Sequence, residues 1–179
     1  MVNENKIELF YNAILKRSEE NKKAFDLLMN EGLYSLVGSI IRLELDSLIR
    51  VCYINSLDSA KEKRDLIEQF LKGQRWQIEK RLVSDRKMVT HVVNNLGLGW
   101  AEHIYDIGCA FIHLSPYHDW GSLLPTENLT QKQREEIVKH VEWNQKIKIK
   151  LTFGFEELVQ IAPGVLEKLR NTLQYELKR

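Results

Sequence analysis

Residues 111–120, FIHLSPYHDW, bring His113, Ser115, Tyr117, His118 and Asp119 into one short stretch. Pro116 must end a helix here, because the residue before a proline is driven out of the helical region. Side chains beyond that point are released from helical register. Histidine titrates near neutral pH, so two of them at a helix end suit a general acid and a general base. The plainer alternative is a helix terminus where His118 and Asp119 pair and cap. A metal reading would gather His113 and His118 with Glu102 and Asp106, a donor set that suits zinc, iron or manganese. The His-x4-His spacing does not turn both rings toward one ion, so no metal is expected. Ser115 lacks the glycine-flanked elbow of a hydrolase nucleophile, and no glycine-rich phosphate loop is present. No cofactor is therefore expected. Cys52 and Cys109 are the only cysteines and sit in apolar helical patterns, which makes them inert thiols rather than a disulfide framework.

A second set of ionic residues lies on two apolar helices. On a helical wheel over about 33–57, Ser35, Ser39, Arg42, Asp46, Arg50 and Tyr53 fall within roughly 80° of one another. Leucine, isoleucine and valine fill nearly all the rest, so this helix should be central in its bundle. Asp46 stands one turn from Arg42 and one turn from Arg50. Glu44 falls inside the apolar arc, where a carboxylate has to be paired or protonated. On the helix from about 100 to 114, Glu102, Asp106, Cys109 and His113 share one face within about 60°. The arrangement predicts a charged seam between the two helices, with Arg42 and Arg50 facing Glu102 and Asp106.

The elements that must position these groups are helical almost throughout. An amphipathic helix over about 7–29 closes at Gly32. After the central helix, Asp58 or Ser59 caps a third helix ending at Gly73. A fourth is expected over about 76–96 and is broken by Gly97 and Gly99. Residues 119–130 read as a loop, and Thr130 with Gln133 forms a capping box for a shorter helix. Residues 146–153, KIKIKLTF, alternate with period two and are the only strand-like signal; a lone strand could pair only across a dimer. A last helix covers about 155–177, with Pro163 making a kink or a break. The expected architecture is thus all-α, one domain over 1–179. It is a bundle of about six to seven helices with a core over about 33–178, the N-terminal helix (about 5–30) packed on it, and a short extended segment near 146–153.

The composition supports this and narrows the function classes. The chain has 179 residues, 44% of them hydrophobic and 28% charged, which is ordinary for a globular protein. Net charge is +1, so no overall field draws it to nucleic acid or anionic membrane. Residues 61–87 carry a local basic excess, most simply the solvated face of a helical hairpin. No signal peptide or transmembrane stretch is evident, and a cytoplasmic protein is expected.

A helix reading RLELDSLIR, a later helix of the form Y-x3-C-x-FIHLS-x2-H and a closing VLEKLRNTL helix resemble bacterial HEPN-like helical-bundle proteins over roughly residues 33–178. Catalytic members of that family are metal-independent ribonucleases with an Arg-x4–6-His motif, and they work as dimers with two motifs in one cleft. The resemblance implies a homodimer, RNA as substrate or partner, and a bacterial defence or toxin–antitoxin-like setting. No arginine precedes His113 and His118 at that spacing. Arg86–His91 and Arg134–His140 fit it, but at about the rate chance allows. Arginine would then come from the central helix, with Arg42 or Arg50 stabilising a cyclising phosphate and His118 taking the 2′-hydroxyl proton. His113, Glu44, Asp46, Glu102, Asp106, Ser115, Tyr117 and Asp119 would complete the site. The alternative is a non-catalytic helical dimer, a protein-interaction module using 146–153 or the aromatics Trp120 and Trp143. An enzyme should open Arg42 or Arg50 onto a cleft; an interaction module should close them in pairs and expose an apolar patch elsewhere.

Overall fold

The computed structural model describes residues 4–112 and 129–179. Among them are seven helices: α1 (Glu4–Asn30), α2 (Tyr34–Ser56), α3 (Ala60–Leu71), α4 (Asp85–Leu96), α5 (Trp100–Ile112), α6 (Gln131–Gln145) and α7 (Phe155–Leu177). A two-stranded antiparallel hairpin, β1 (Gln77–Ile78) and β2 (Arg81–Leu82), lies between α3 and α4. The protein is an all-α bundle. His113, Ser115, Tyr117, His118, Asp119 and Trp120 lie outside the described residues.

As its apolar wheel requires, α2 is central, packing against α1, α4, α5 and α7. Leu45, Leu48, Ile49, Val51 and Cys52 are fully buried, with Phe10 and Ile14 from α1 and Leu169 and Leu173 from α7 in the same cluster. Each such side chain contributes about 1.5–3 kcal/mol by leaving water. Burial also pushes the Cys52 thiol up to about 12, so it stays protonated and unreactive.

The α2–α5 contact depends on two glycines. A Cβ on Gly38 would stand 2.5 Å from the Phe111 ring, and one on Gly108 would stand 2.9 Å from Cβ of Arg42. The helices therefore approach too closely for any side chain at these points. Gly38→Ala should destabilise the protein by about 1–3 kcal/mol through overpacking, read as a lower urea midpoint with an unchanged slope. An unchanged midpoint would mean that the two helices can separate at no cost.

Local signals explain most boundaries. Gly32 takes a left-handed φ of 69° just after α1, a conformation that costs glycine nothing. Ser59 caps α3 by accepting from the Glu62 amide, and Thr130 and Gln133 form the expected capping box on α6. One expectation changes and two open ones are narrowed. The single helix over 76–96 is instead the hairpin followed by α4, which Ser84 caps by accepting from the Lys87 amide. The hairpin turns through Glu79 and Lys80, both with positive φ. Neither residue is a usual choice there, so no turn signal was visible. Tertiary contacts hold the turn open: Trp76 and Val83 are buried, and Gln69 of α3 exchanges hydrogen bonds with the Gln77 backbone at 2.6 and 3.0 Å.

Residues 146–153 form no strand. Their alternation is real, with Lys146, Lys148 and Lys150 exposed while Ile149 and Phe153 bury against Ile137, Val141 and Ile161. The period-two pattern here anchors an irregular connection rather than a sheet. Finally, α7 runs on through Pro163 without a break. The side chain of Gln145 donates to the Ile161 carbonyl at 3.2 Å, two residues before that proline.

Candidate functional site

The polar stripe of α2 meets α1, α4 and α5 in one ionic cluster. Asp46 is its hub. Arg50 Nε donates to Asp46 Oδ2 at 3.2 Å, Arg17 Nη1 reaches the same oxygen at 3.4 Å, and Arg42 Nη1 lies 3.9 Å from Oδ1. Asp85, the first residue of α4, accepts from Arg50 at 2.9 Å and from Arg42 at 3.2 Å. The Arg42 side chain is 5% exposed, Asp46 14% and Arg50 23%. Burial opposes the Arg42 charge, but the Cys109 thiol, Asp46 and Asp85 outweigh it and hold its pKa above the ordinary value.

The seam expected between α2 and α5 therefore has different partners. Glu102 and Asp106 are taken by Arg86 of α4, at 3.7 and 2.5 Å. Between the two ion-pair groups stands the Tyr105 ring, with the guanidinium of Arg42 4.3 Å from its centroid and that of Arg86 4.5 Å away. Two cations stacked on one ring each gain from its negative face. Burial, the first cause, pushes the Tyr105 phenol above its ordinary range. Arginine from α4 outcompetes α2 for the α5 carboxylates because α4 packs on both helices and its first turn projects Asp85 and Arg86 to opposite partners.

Glu44 is fully buried, as the wheel places it, and no cation among the described residues pairs with it. It accepts from Ser18 Oγ at 2.5 Å and from Asn21 Nδ2 at 2.8 Å, both on α1. Ser18 Oγ in turn accepts from Arg170 Nε of α7 at 3.3 Å. This polar knot ties α1, α2 and α7 together and is closed to any ligand.

Of the residues picked from sequence, Arg42, Arg50 and Asp46 thus converge, Glu102 and Asp106 form a neighbouring group, and Glu44 faces another side of α2. Sequence reasoning missed Arg17, Asp85 and Tyr105. Asp85 had a signal, the Ser84-Asp85 pair at a helix start, obscured by extending the fourth helix back to 76. His91 and His140, the chance motif matches, stand apart from this cluster. His91 Nε2 lies 2.7 Å from Ser56 Oγ, and burial, with Lys87 adding to it, holds its pKa below the ordinary value.

Leu33, just before α2, and Leu36 and Leu43 on it are 48%, 49% and 37% exposed. They stand on one side of a helix that is otherwise enclosed. Trp143 on α6 is 78% exposed. No helix among the described residues is long and apolar enough to cross a membrane. No protein-family model matches the chain, and neither a curated protein nor a solved structure does so.

Proposed function

We propose that this protein is a non-catalytic helical interaction module, and that a second copy of the chain docks on the exposed leucines of α2. The observation that carries this reading is the stripe formed by Leu33, Leu36 and Leu43 at the start of α2. Leucines at i, i+3 and i+10 make an apolar line about 15 Å long. Such a line matches the face of another helix, and two copies of it are self-complementary about a two-fold axis. The chain's net charge of +1 leaves little repulsion between copies. The ionic cluster supports the same reading, because Arg42 and Arg50 each have a carboxylate within 3.2 Å.

The HEPN-like, RNA-cleaving reading has less support, since it needs one of those guanidiniums for a phosphate. Light scattering on the full chain at tens of micromolar should give about twice 21.1 kDa. Leu36→Glu with Leu43→Glu should return it to one chain mass with unchanged helical circular dichroism. A wild-type mass of one chain would overturn the dimer. RNA cleavage that disappears in His118→Ala would overturn the non-catalytic reading and restore the ribonuclease.

A further inference from the structure

A cavity of about 140 Å³ lies between α2, α5, α6 and α7. Its walls among the described residues are chiefly apolar, including Val37, Ile104, Ile107, Val141, Leu158 and Val165. One side is different in kind. His103, His140, Asn144 and Lys168 line it there.

These groups are short of negative charge. The Lys168 ammonium donates to Asn144 Oδ1 at 2.9 Å and sits 5.0 Å from the centroid of the Trp100 ring. It has no carboxylate within ion-pair distance among the described residues, and burial lowers its pKa. His103 is 9% exposed; its Nε2 lies 3.2 Å from Glu136 Oε2, and its Nδ1 is buried without a hydrogen-bond partner. His140 is close enough for Lys168 and His103 to disfavour its charge, after burial itself. Glu136, shared with Lys132 at 3.9 Å, is the one carboxylate beside these groups among the described residues.

A partly buried ammonium and an unsatisfied buried imidazole nitrogen both gain from an anionic acceptor. An apolar void of this volume gains from an apolar body, as a protein cavity of about 150 Å³ does from benzene. From this juxtaposition we propose that the α2/α5/α6/α7 cavity binds a small organic carboxylate, with a ring-sized apolar body in the void and its carboxylate toward Lys168 and His103. A carboxylate there accepts from the Lys168 ammonium directly. With the His103 ring protonated, Nδ1–H supplies a second donor while Nε2–H stays on Glu136. The proposal does not depend on the dimer.

Calorimetric titration of the full chain with 3-phenylpropionate, and separately with the neutral 3-phenylpropanamide, tests it. Saturable one-to-one binding of the carboxylate is expected, with the amide about tenfold weaker or worse, the scale of one lost charged hydrogen bond. Lys168→Met should reduce the carboxylate to the affinity of the amide and leave amide binding unchanged. Equal affinity of the wild type for the two probes would overturn the anionic head, and no saturable binding of either at millimolar concentration would overturn the site. The comparison of probes on the wild-type chain decides the matter even should the variant fold poorly.

Discussion

Asp46→Asn should cost about 3–5 kcal/mol of stability, the scale expected when one partner of a buried ion pair is removed. Asparagine keeps the shape, so the loss is electrostatic. Arg17, Arg42 and Arg50 converge on this carboxylate, and Arg42 is 5% exposed. Without Asp46 the remaining anion of Arg42 and Arg50 is Asp85, whose side chain is 38% exposed and therefore screened by water. Uncompensated charge would then be left on a guanidinium with little access to solvent. Asp85→Asn should cost less, about 1 kcal/mol, because the carboxylate it removes is itself partly in water. Urea unfolding of both variants checks the order. If Asp85→Asn proved the more damaging, the hub of the cluster would be on α4 rather than on α2.

Glu44→Ala should cost about 3 kcal/mol. The change removes a fully buried side chain, leaving a void, and orphans the donors of Ser18 and Asn21, themselves 4% and 6% exposed. Glu44→Gln should cost less, since it fills the space and keeps an acceptor oxygen. Replacing Glu44 and its two donors together, as Ser18→Ala, Asn21→Leu and Glu44→Leu, should recover much of the loss, because only Arg170 Nε, which also bonded Ser18, then loses a partner. Denaturation of the single and triple variants measures this directly. A triple variant weaker than Glu44→Ala would show that the polar knot stabilises the bundle in its own right.

Both effects start from residues that the helical wheel singles out, which shows how far one-dimensional reasoning reaches here. The near-continuous apolar surface of α2 placed it at the centre, and Glu44 inside that surface had to be buried and partnered. The wheel could not say by what. Its partners are neutral groups on α1, residues separated from it by 23 and 26 positions. The spacing of Arg42, Asp46 and Arg50 similarly announced an ionic stripe, but the choice of Asp85 over Glu102 and Asp106 depended on where α4 begins. That start was hidden by a turn with glutamate and lysine at positive φ, a conformation those residues do not advertise. His103 and Lys168 were invisible as a pair for the same kind of reason, lying on α5 and α7 and meeting only at the wall of one cavity.

What the amino-acid order determined by itself is therefore whatever a single helix or turn can express: the all-helical class, most helix ends, the cap at Thr130, the α3 cap to within Asp58 or Ser59, and which face of α2 is ionic. These depend on contacts within a few residues, where side-chain type alone decides the energy. Tertiary structure decided which charge meets which, that KIKIKLTF anchors a connection instead of pairing as a strand, and that α7 continues through Pro163. Those outcomes rest on competition between distant groups for one partner or one space, and such competition is settled only when the helices are packed.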